Sequence, residues 1–256
     1  MILEARDLTV RFGGVSALAG VSFQVAPGTI TSLIGPNGAG KTTAFNVITG
    51  FQRPTQGTVR HDGLPITGWR PHRIAARGLV RTFQKTSVFG GLTVRENVLT
   101  GLHLRGEVGV AAALLARARV RAEEERLAGE ADRVLDFVGL GGRRDELASG
   151  LSYGDQRLLE LAVALAAGPR LLLLDEPASG MTASEKVTVA ALIARIRERG
   201  VTVFLVEHDM RLVMGISDRV LVLNYGRLIA DGDPATVQRD PEVVRAYLGS
   251  GAHAHA

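Results

Sequence analysis

The chain has 256 residues, 46% of them hydrophobic and 22% charged, with no cysteine and a formal net charge of +4 at pH 7. That length bounds one large domain or two small ones, the missing cysteine excludes a disulfide framework and a thiolate metal site, and the small basic excess gives at most weak attraction to nucleic acid or anionic lipid. The longest uncharged apolar stretches, around 110–116 and 171–174, fall far short of the roughly 20 residues a membrane-spanning helix needs, and the opening Met1-Ile2-Leu3-Glu4-Ala5-Arg6 does not read as a secretory signal.

In chain order, β-rich runs at 3–7, 8–12 and 21–25, broken by Gly13-Gly14 and Pro27-Gly28, predict a small antiparallel sheet. The apolar run 29–34 predicts a strand that feeds directly into Gly35, Pro36, Asn37, Gly38, Ala39, Gly40, Lys41, Thr42 and Thr43. This is the spacing G-x-x-x-x-G-K-[ST], in which glycines let backbone N–H groups close around phosphate oxygens that a Cβ would keep away. Lys41 is placed to reach the β and γ phosphates of a nucleotide, and the Thr42 hydroxyl to reach a magnesium ion bridging them. The helix that follows, with Ala44, Phe45, Val47 and Ile48 on one face, presents its unpaired N–H groups and positive dipole end to the same anion.

Past Gly50, Pro54 and Gly57, a strand is predicted at 58–62 and another at 80–83. The second ends on Gln84, which can touch the metal or its water and feel movement of the segment beyond. From 93 to 167 the composition turns helical, rich in Ala, Leu, Arg and Glu, and predicts an insert. Its run Arg117, Arg119, Arg121, Glu123, Glu124, Glu125, Arg126 mixes signs as an exposed helix face does. Ser152 is placed to cap a helix through Arg157, Leu158, Leu161, Ala162 and Leu165, making a second anion-favouring N-terminus.

Strand and helix then alternate: strand 171–174, helix 187–199, strand 201–206, helix 210–216, a strand pair 220–224 and 227–230 around Tyr225-Gly226, a helix at 241–248, and a mobile tail from 249. His253 and His255 in that tail do not read as a metal site. Asp175 ends a buried strand at the carboxyl edge of the sheet, where it is the expected magnesium partner of Thr42. Glu176 beside it is assigned to orient or deprotonate an attacking water, and His208, after the 201–206 strand, to bond the γ phosphate or that water. The predicted organisation is an α/β core from 1–84 and 168–250, a helical subdomain at 85–167 and a flexible tail at 251–256.

The phosphate loop, Gln84, Leu151-Ser152-Tyr153-Gly154-Asp155-Gln156, the 171–176 segment and His208 together resemble an ABC-type ATPase over nearly the whole chain. The resemblance implies ATP and Mg²⁺ as ligands. It also implies a P-loop NTPase (RecA-like) fold: a parallel-sheet core, an N-terminal antiparallel β subdomain and an inserted helical subdomain. It makes Ser152, Tyr153, Gly154, Asp155 and Gln156 the signature segment, which binds the γ phosphate of ATP held by the opposite subunit. With one phosphate loop and one signature per chain, two chains would have to face head to tail. By the same resemblance Phe12 stacks on adenine, and Ser179-Gly180-Met181-Thr182 crosses to the partner. Tyr153 stands where the signature usually has glycine, Asp155 adds a negative charge beside an anion, and Thr182 stands where Asp is usual.

The segments 11–14, 44–51, 80–84, 93–98, 207–214 and 244–249 resemble more closely the ATP-binding subunit of bacterial branched-chain amino acid uptake systems. That implies a peripheral location on the cytoplasmic side of the membrane, two permease subunits, a second ATPase subunit as homodimer or sister chain, and an external binding protein. Importers of urea and short amides look similar at this level. A soluble ABC ATPase acting on DNA or ribosomes would carry two nucleotide units or long coiled-coil insertions; neither is seen, so no nucleic-acid partner is expected.

Overall fold

The computed structural model describes residues 1–82, 88–102 and 117–251. The chain begins with two long antiparallel strands, β1 (Leu3–Phe12) and β2 (Val15–Val25), where sequence predicts three short ones. Asp7 takes a positive φ of 50°, and register shifts between Ala5 and Leu8 and between Leu8 and Val10 absorb the irregularity as bulges, so pairing continues through it. Next come β3 (Ile30–Ile34), α1 (Lys41–Ile48), β4 (Gln56–His61), β5 (Leu64–Pro65), α2 (Pro71–Ala75) and β6 (Leu79–Arg81). β6 stops at Arg81 and not at 83; Gln84 lies outside the described residues.

The helical segment holds α3 (Val94–Leu102), α4 (Arg117–Val138) and α5 (Tyr153–Ala166). The remainder is β7 (Leu171–Asp175), α6 (Ala183–Glu198), β8 (Thr202–Val206), α7 (Met210–Ile216), β9 (Arg219–Asn224), β10 (Arg227–Gly232), α8 (Pro234–Arg239) and α9 (Pro241–Gly251). α6 starts at Ala183, four residues before the predicted position, because Thr182 and Glu185 form a reciprocal capping box. α9 runs to Gly251, so residues 249–251 are helix where the sequence reads as tail; 252–256, with both tail histidines, lie outside the described residues. α2 and α8 are too short for periodicity to reveal, and each opens on a proline in its first turn.

Two compact units result, Met1–Arg81 with Arg170–Ala256, and Thr82–Pro169. In the first, one sheet has the order β2-β1-β4-β5 and is antiparallel throughout. The other has the order β10-β9-β3-β8-β7-β6, all parallel except β10. Every residue of β3, β7 and β8 is buried, as continuous apolar strands covered on both faces require. On one face α1 buries Ala44, Phe45, Val47 and Ile48. The Phe45 ring lies 5.1 Å from Phe204 of β8, which lies 5.5 Å from Phe23 of β2, so a single core fills the space between the two sheets. The opposite face packs Ile34, Val220 and Val222 against Val213, Val237 and Val243 of α7, α8 and α9.

In the second unit α3 packs on both α4 and α5. Its turns are held by the buried Asn97, whose carboxamide oxygen accepts from Phe89 N at 2.7 Å while its Nδ2 donates to the Phe89 and Thr93 carbonyls at 3.0 and 2.9 Å. On α4 the mixed-sign run pairs along the helix surface, Arg121 with Glu125 and Arg126 with Glu123.

Candidate functional site

The phosphate loop sits between the end of β3 and the start of α1, and its shape demands glycine at two places. A Cβ on Gly35 would lie 2.1 Å from the Leu223 carbonyl oxygen, and one on Gly40, at φ +106°, would lie 2.5 Å from the Ala17 carbonyl oxygen. The β9–β10 turn braces the loop from behind: Gly226 N donates to Ala39 O at 2.9 Å, and Ala19 N of β2 donates to Gly226 O at 2.8 Å. Gly40 caps α1 without any side-chain bond, and no acid stands in the first turn of α1, which leaves its N-terminal amides for a ligand. Lys41 folds back over the loop and donates to Gly35 O at 2.7 Å and Pro36 O at 2.9 Å. Burial pushes the Lys41 ammonium down from its ordinary pKa, while Glu176 and then Asp175 pull it back up. Those two carboxylates therefore act on the same lysine. Thr42 is exposed beside it, and Phe12, at the β1–β2 turn, leaves about half of its surface open at 52%.

Asp175 ends β7 and is buried, and its Oδ2 accepts from Arg81 Nη2 at 2.6 Å. Arg81 Nη1 donates in turn to Asn46 Oδ1 on α1 at 2.7 Å, and its guanidinium lies 5.5 Å from the Phe45 ring. Sequence reasoning assigned nothing to Arg81; only the parallel register that sets it beside Leu173, one strand over from Asp175, could have suggested it. Glu176 follows with a positive φ of 50°, its amide donating to Val206 O at 2.8 Å. Such a conformation costs a non-glycine residue on the order of 1–3 kcal/mol and collects at functional sites. Its Oε2 lies 4.0 Å from His208 Nδ1, so the two groups assigned to the attacking water share one edge of the sheet. His208 is exposed, whereas Glu207 beside it is fully buried and is given no role by the sequence, which places it only within the 207–214 segment of the resemblance.

Thr182, expected to cross to a partner, engages its own helix, its hydroxyl donating to Glu185 Oε2 at 2.7 Å. A cavity of about 680 Å³ runs between α6 and α7, past Met181, Lys186 and Leu212; none of its lining residues belongs to the phosphate loop.

In the helical unit Ser152 caps α5, accepting from Asp155 N at 3.1 Å and donating to Asp155 Oδ2 at 2.8 Å. The extra negative charge at Asp155 is answered within the unit: Arg143 Nη1 bonds Asp155 Oδ2 at 2.5 Å and also pairs with Glu146. Tyr153 is exposed, with its hydroxyl accepting from Arg157 at 3.1 Å, and Arg157 pairs with Glu160 in a buried arrangement. Gly154 is buried, and Gln156 donates to Leu151 O at 3.2 Å.

The residues present fit a nucleotide accompanied by a hard divalent cation. The loop forms a cradle of backbone donors with no room for side chains at Gly35 and Gly40, and the Thr42 hydroxyl and Asp175 carboxylate are oxygen donors of the type magnesium takes. Among the described residues no cluster of three His, Cys, Asp or Glu is placed to hold a metal ion by itself.

Residues 18–179 match the ABC transporter family, and residues 227–253 match the branched-chain amino acid ATP-binding cassette transporter family. The chain is 45% identical over 249 residues to the high-affinity branched-chain amino acid transport ATP-binding protein BraF of Pseudomonas aeruginosa, which spans 97% of this chain and 98% of that protein. It is 43% identical, with the same coverage, to the corresponding protein LivG of Escherichia coli. Among solved structures, the ADP conformation of MJ1267, an ATP-binding cassette of an ABC transporter, superposes with a TM-score of 0.85 at 33% identity, covering 97% of this chain and 98% of that one.

Proposed function

Because the chain belongs to the ABC transporter family of ATP-binding proteins, we propose that it is the ATP-binding and hydrolysing subunit of a bacterial importer of branched-chain amino acids. The observation that carries the substrate class is the match of residues 227–253 to the branched-chain transporter family, on a chain already 45% identical to BraF along almost its whole length. In this reading the pathway for the amino acid belongs to other chains; no helix among the described residues is long and apolar enough to cross a membrane. Those are two permease subunits, against which this chain works from the cytoplasmic side together with a second ATPase subunit, identical or sister, while a binding protein delivers substrate outside.

In the proposed reaction the loop amides and the α1 N-terminus hold the ATP phosphates, and Phe12 lies against adenine. Lys41 exchanges the Gly35 and Pro36 carbonyls for β and γ oxygens, a short swing for a side chain already lying across the loop. A magnesium ion, when bound, offsets phosphate charge, and Thr42, Asp175 and Gln84 are the residues that would hold it or its water. Glu176 takes a proton from water as the water oxygen attacks the γ phosphorus and the bond to the β-phosphate oxygen breaks, leaving ADP and phosphate. His208, 4.0 Å from Glu176, orients that water or the γ phosphate. Ser152 to Gln156 would cap the γ phosphate of ATP on the partner. Arg143 supports this assignment, because its pairing with Asp155 offsets part of the charge that would repel the anion.

Glu176→Gln tests this. ATP binding should persist while hydrolysis slows by about 10²–10⁴, and ATP should drive the variant, alone or mixed with a sister ATPase subunit, into a dimer on gel filtration. In cells lacking the wild-type chain, the variant should fail to restore leucine uptake. Near-normal hydrolysis would remove Glu176 from its role, monomers in every mixture would remove the composite site, and leucine uptake independent of this chain would remove the substrate assignment.

A further inference from the structure

Glu207 follows β8 with its side chain fully buried, and its two carboxylate oxygens serve two different loops. Oε1 accepts from Ala178 N at 2.9 Å, in the turn that leads from Glu176 towards Thr182. Oε2 accepts from His208 N at 3.0 Å and from Asp209 N at 3.4 Å. A second tie runs parallel to the first: Lys186, in the opening turns of α6, donates to Asp209 Oδ2 at 2.7 Å. Burying a carboxylate is costly, and this one is compensated by backbone amides on two segments that adjoin nowhere in sequence. A carboxylate accepts at both oxygens, whereas a carboxamide of the same shape accepts at one end and must donate at the other. Both loops here present donors, so the site requires the acid. Thr182 meanwhile has its hydroxyl engaged within its own capping box and offers no comparable link.

We propose that Glu207 is a positioning residue of the ATPase reaction, tying the loop that carries His208 to the 176–182 loop so that the two move as one piece. Contact of a partner subunit with Ser179 to Thr182 would then be felt at His208 through this carboxylate. The proposal rests on reading Glu176 and His208 as the hydrolytic pair.

Its test is Glu207→Gln, isosteric but unable to accept on both arms, measured beside Glu176→Gln and Lys186→Met in the full chain. We expect Glu207→Gln to bind ATP, followed with a fluorescent analogue, within about 2-fold of wild type while kcat falls about 10–100-fold, the scale of a small misplacement of reacting groups. Lys186→Met should lower kcat less, and the double variant should fall short of the product of the two single effects, because both ties serve one unit. Wild-type kcat in Glu207→Gln, or a loss of kcat matched by an equal loss of ATP affinity, would overturn the proposal. Should Glu207→Gln not fold, Lys186→Met carries the decision: a kcat reduced about 3-fold or more at unchanged ATP affinity supports the tie, and an unchanged kcat overturns it. Wild-type hydrolysis by Glu176→Gln would instead sink the underlying assignment of the hydrolytic pair, so the two failures are told apart.

Discussion

Replacing Arg81 by methionine isolates the ion pair on which the metal-site carboxylate rests. The side chains of Arg81 and Asp175 are 6% and 2% exposed, their closest atoms are 2.6 Å apart, and Asn46 takes a second guanidinium bond at 2.7 Å. Methionine keeps much of the stem volume against Phe45 but takes from the buried Asp175 the guanidinium that pairs with it at 2.6 Å. Breaking a buried pair from one side costs about 3–5 kcal/mol. For a protein of this size that lowers the melting temperature by roughly 6–20 °C. The assay is thermal unfolding of the nucleotide-free protein, for Arg81→Met, Asp175→Asn and the double variant. The double variant should be markedly more stable than the sum of the single losses allows, since it removes both charges together. A shift below about 2 °C for Arg81→Met, or strict additivity in the cycle, would refute the view that this pair neutralises Asp175.

Gly40→Ala should strain the phosphate loop by about 1–3 kcal/mol and press a methyl group onto the Ala17 carbonyl, 2.5 Å from the position its Cβ would take; nucleotide titration should then find ATP affinity reduced at least about 10-fold, and unchanged affinity would show that the loop relaxes freely. On the acid side, Asp209 is held below its ordinary pKa first by Lys186, Asp233 by the Thr236 hydroxyl, and Glu185 by the Thr182 amide. Their folded values lie below the unfolded ones near about 4, so the stability they contribute is present above that pH and is lost as pH falls through the folded values. Lys186→Met should therefore shrink the acid-side loss in a stability titration from pH 6 to 2, about the range these groups cover; an unaltered profile would refute the Asp209 part.

Much of this could be read from residue order because it is local. The phosphate loop is a contiguous spacing, the buried strands are unbroken apolar runs, and Asp175, Glu176 and His208 stand at strand ends, which pattern alone locates to within a residue or two. What pattern missed was set by pairing across the sheet or by single side chains. The bulges that fuse 3–7 and 8–12 into one strand depend on a positive φ at Asp7. Arg81 reads as one of many arginines until β6 lies beside β7. Glu207 looks like a polar residue at a strand end, and only its burial between two loops sets it apart. Asp155 reads as an unwelcome charge until Arg143 is found against it.

The strand order has a consequence for synthesis. β3 delivers the phosphate loop, yet its neighbours in the sheet are β8 and β9, and the turn that braces the loop comes after β9. A ribosome releases residues 30–48 long before 202–226 exist, so this apolar strand emerges without its sheet neighbours, and the helix behind it without Phe204, and both wait for nearly the whole remaining chain. Nascent protein of this kind is exposed to aggregation until translation is almost complete, and a message cut short before β9 yields a chain that carries the full phosphate-loop sequence and cannot shape it.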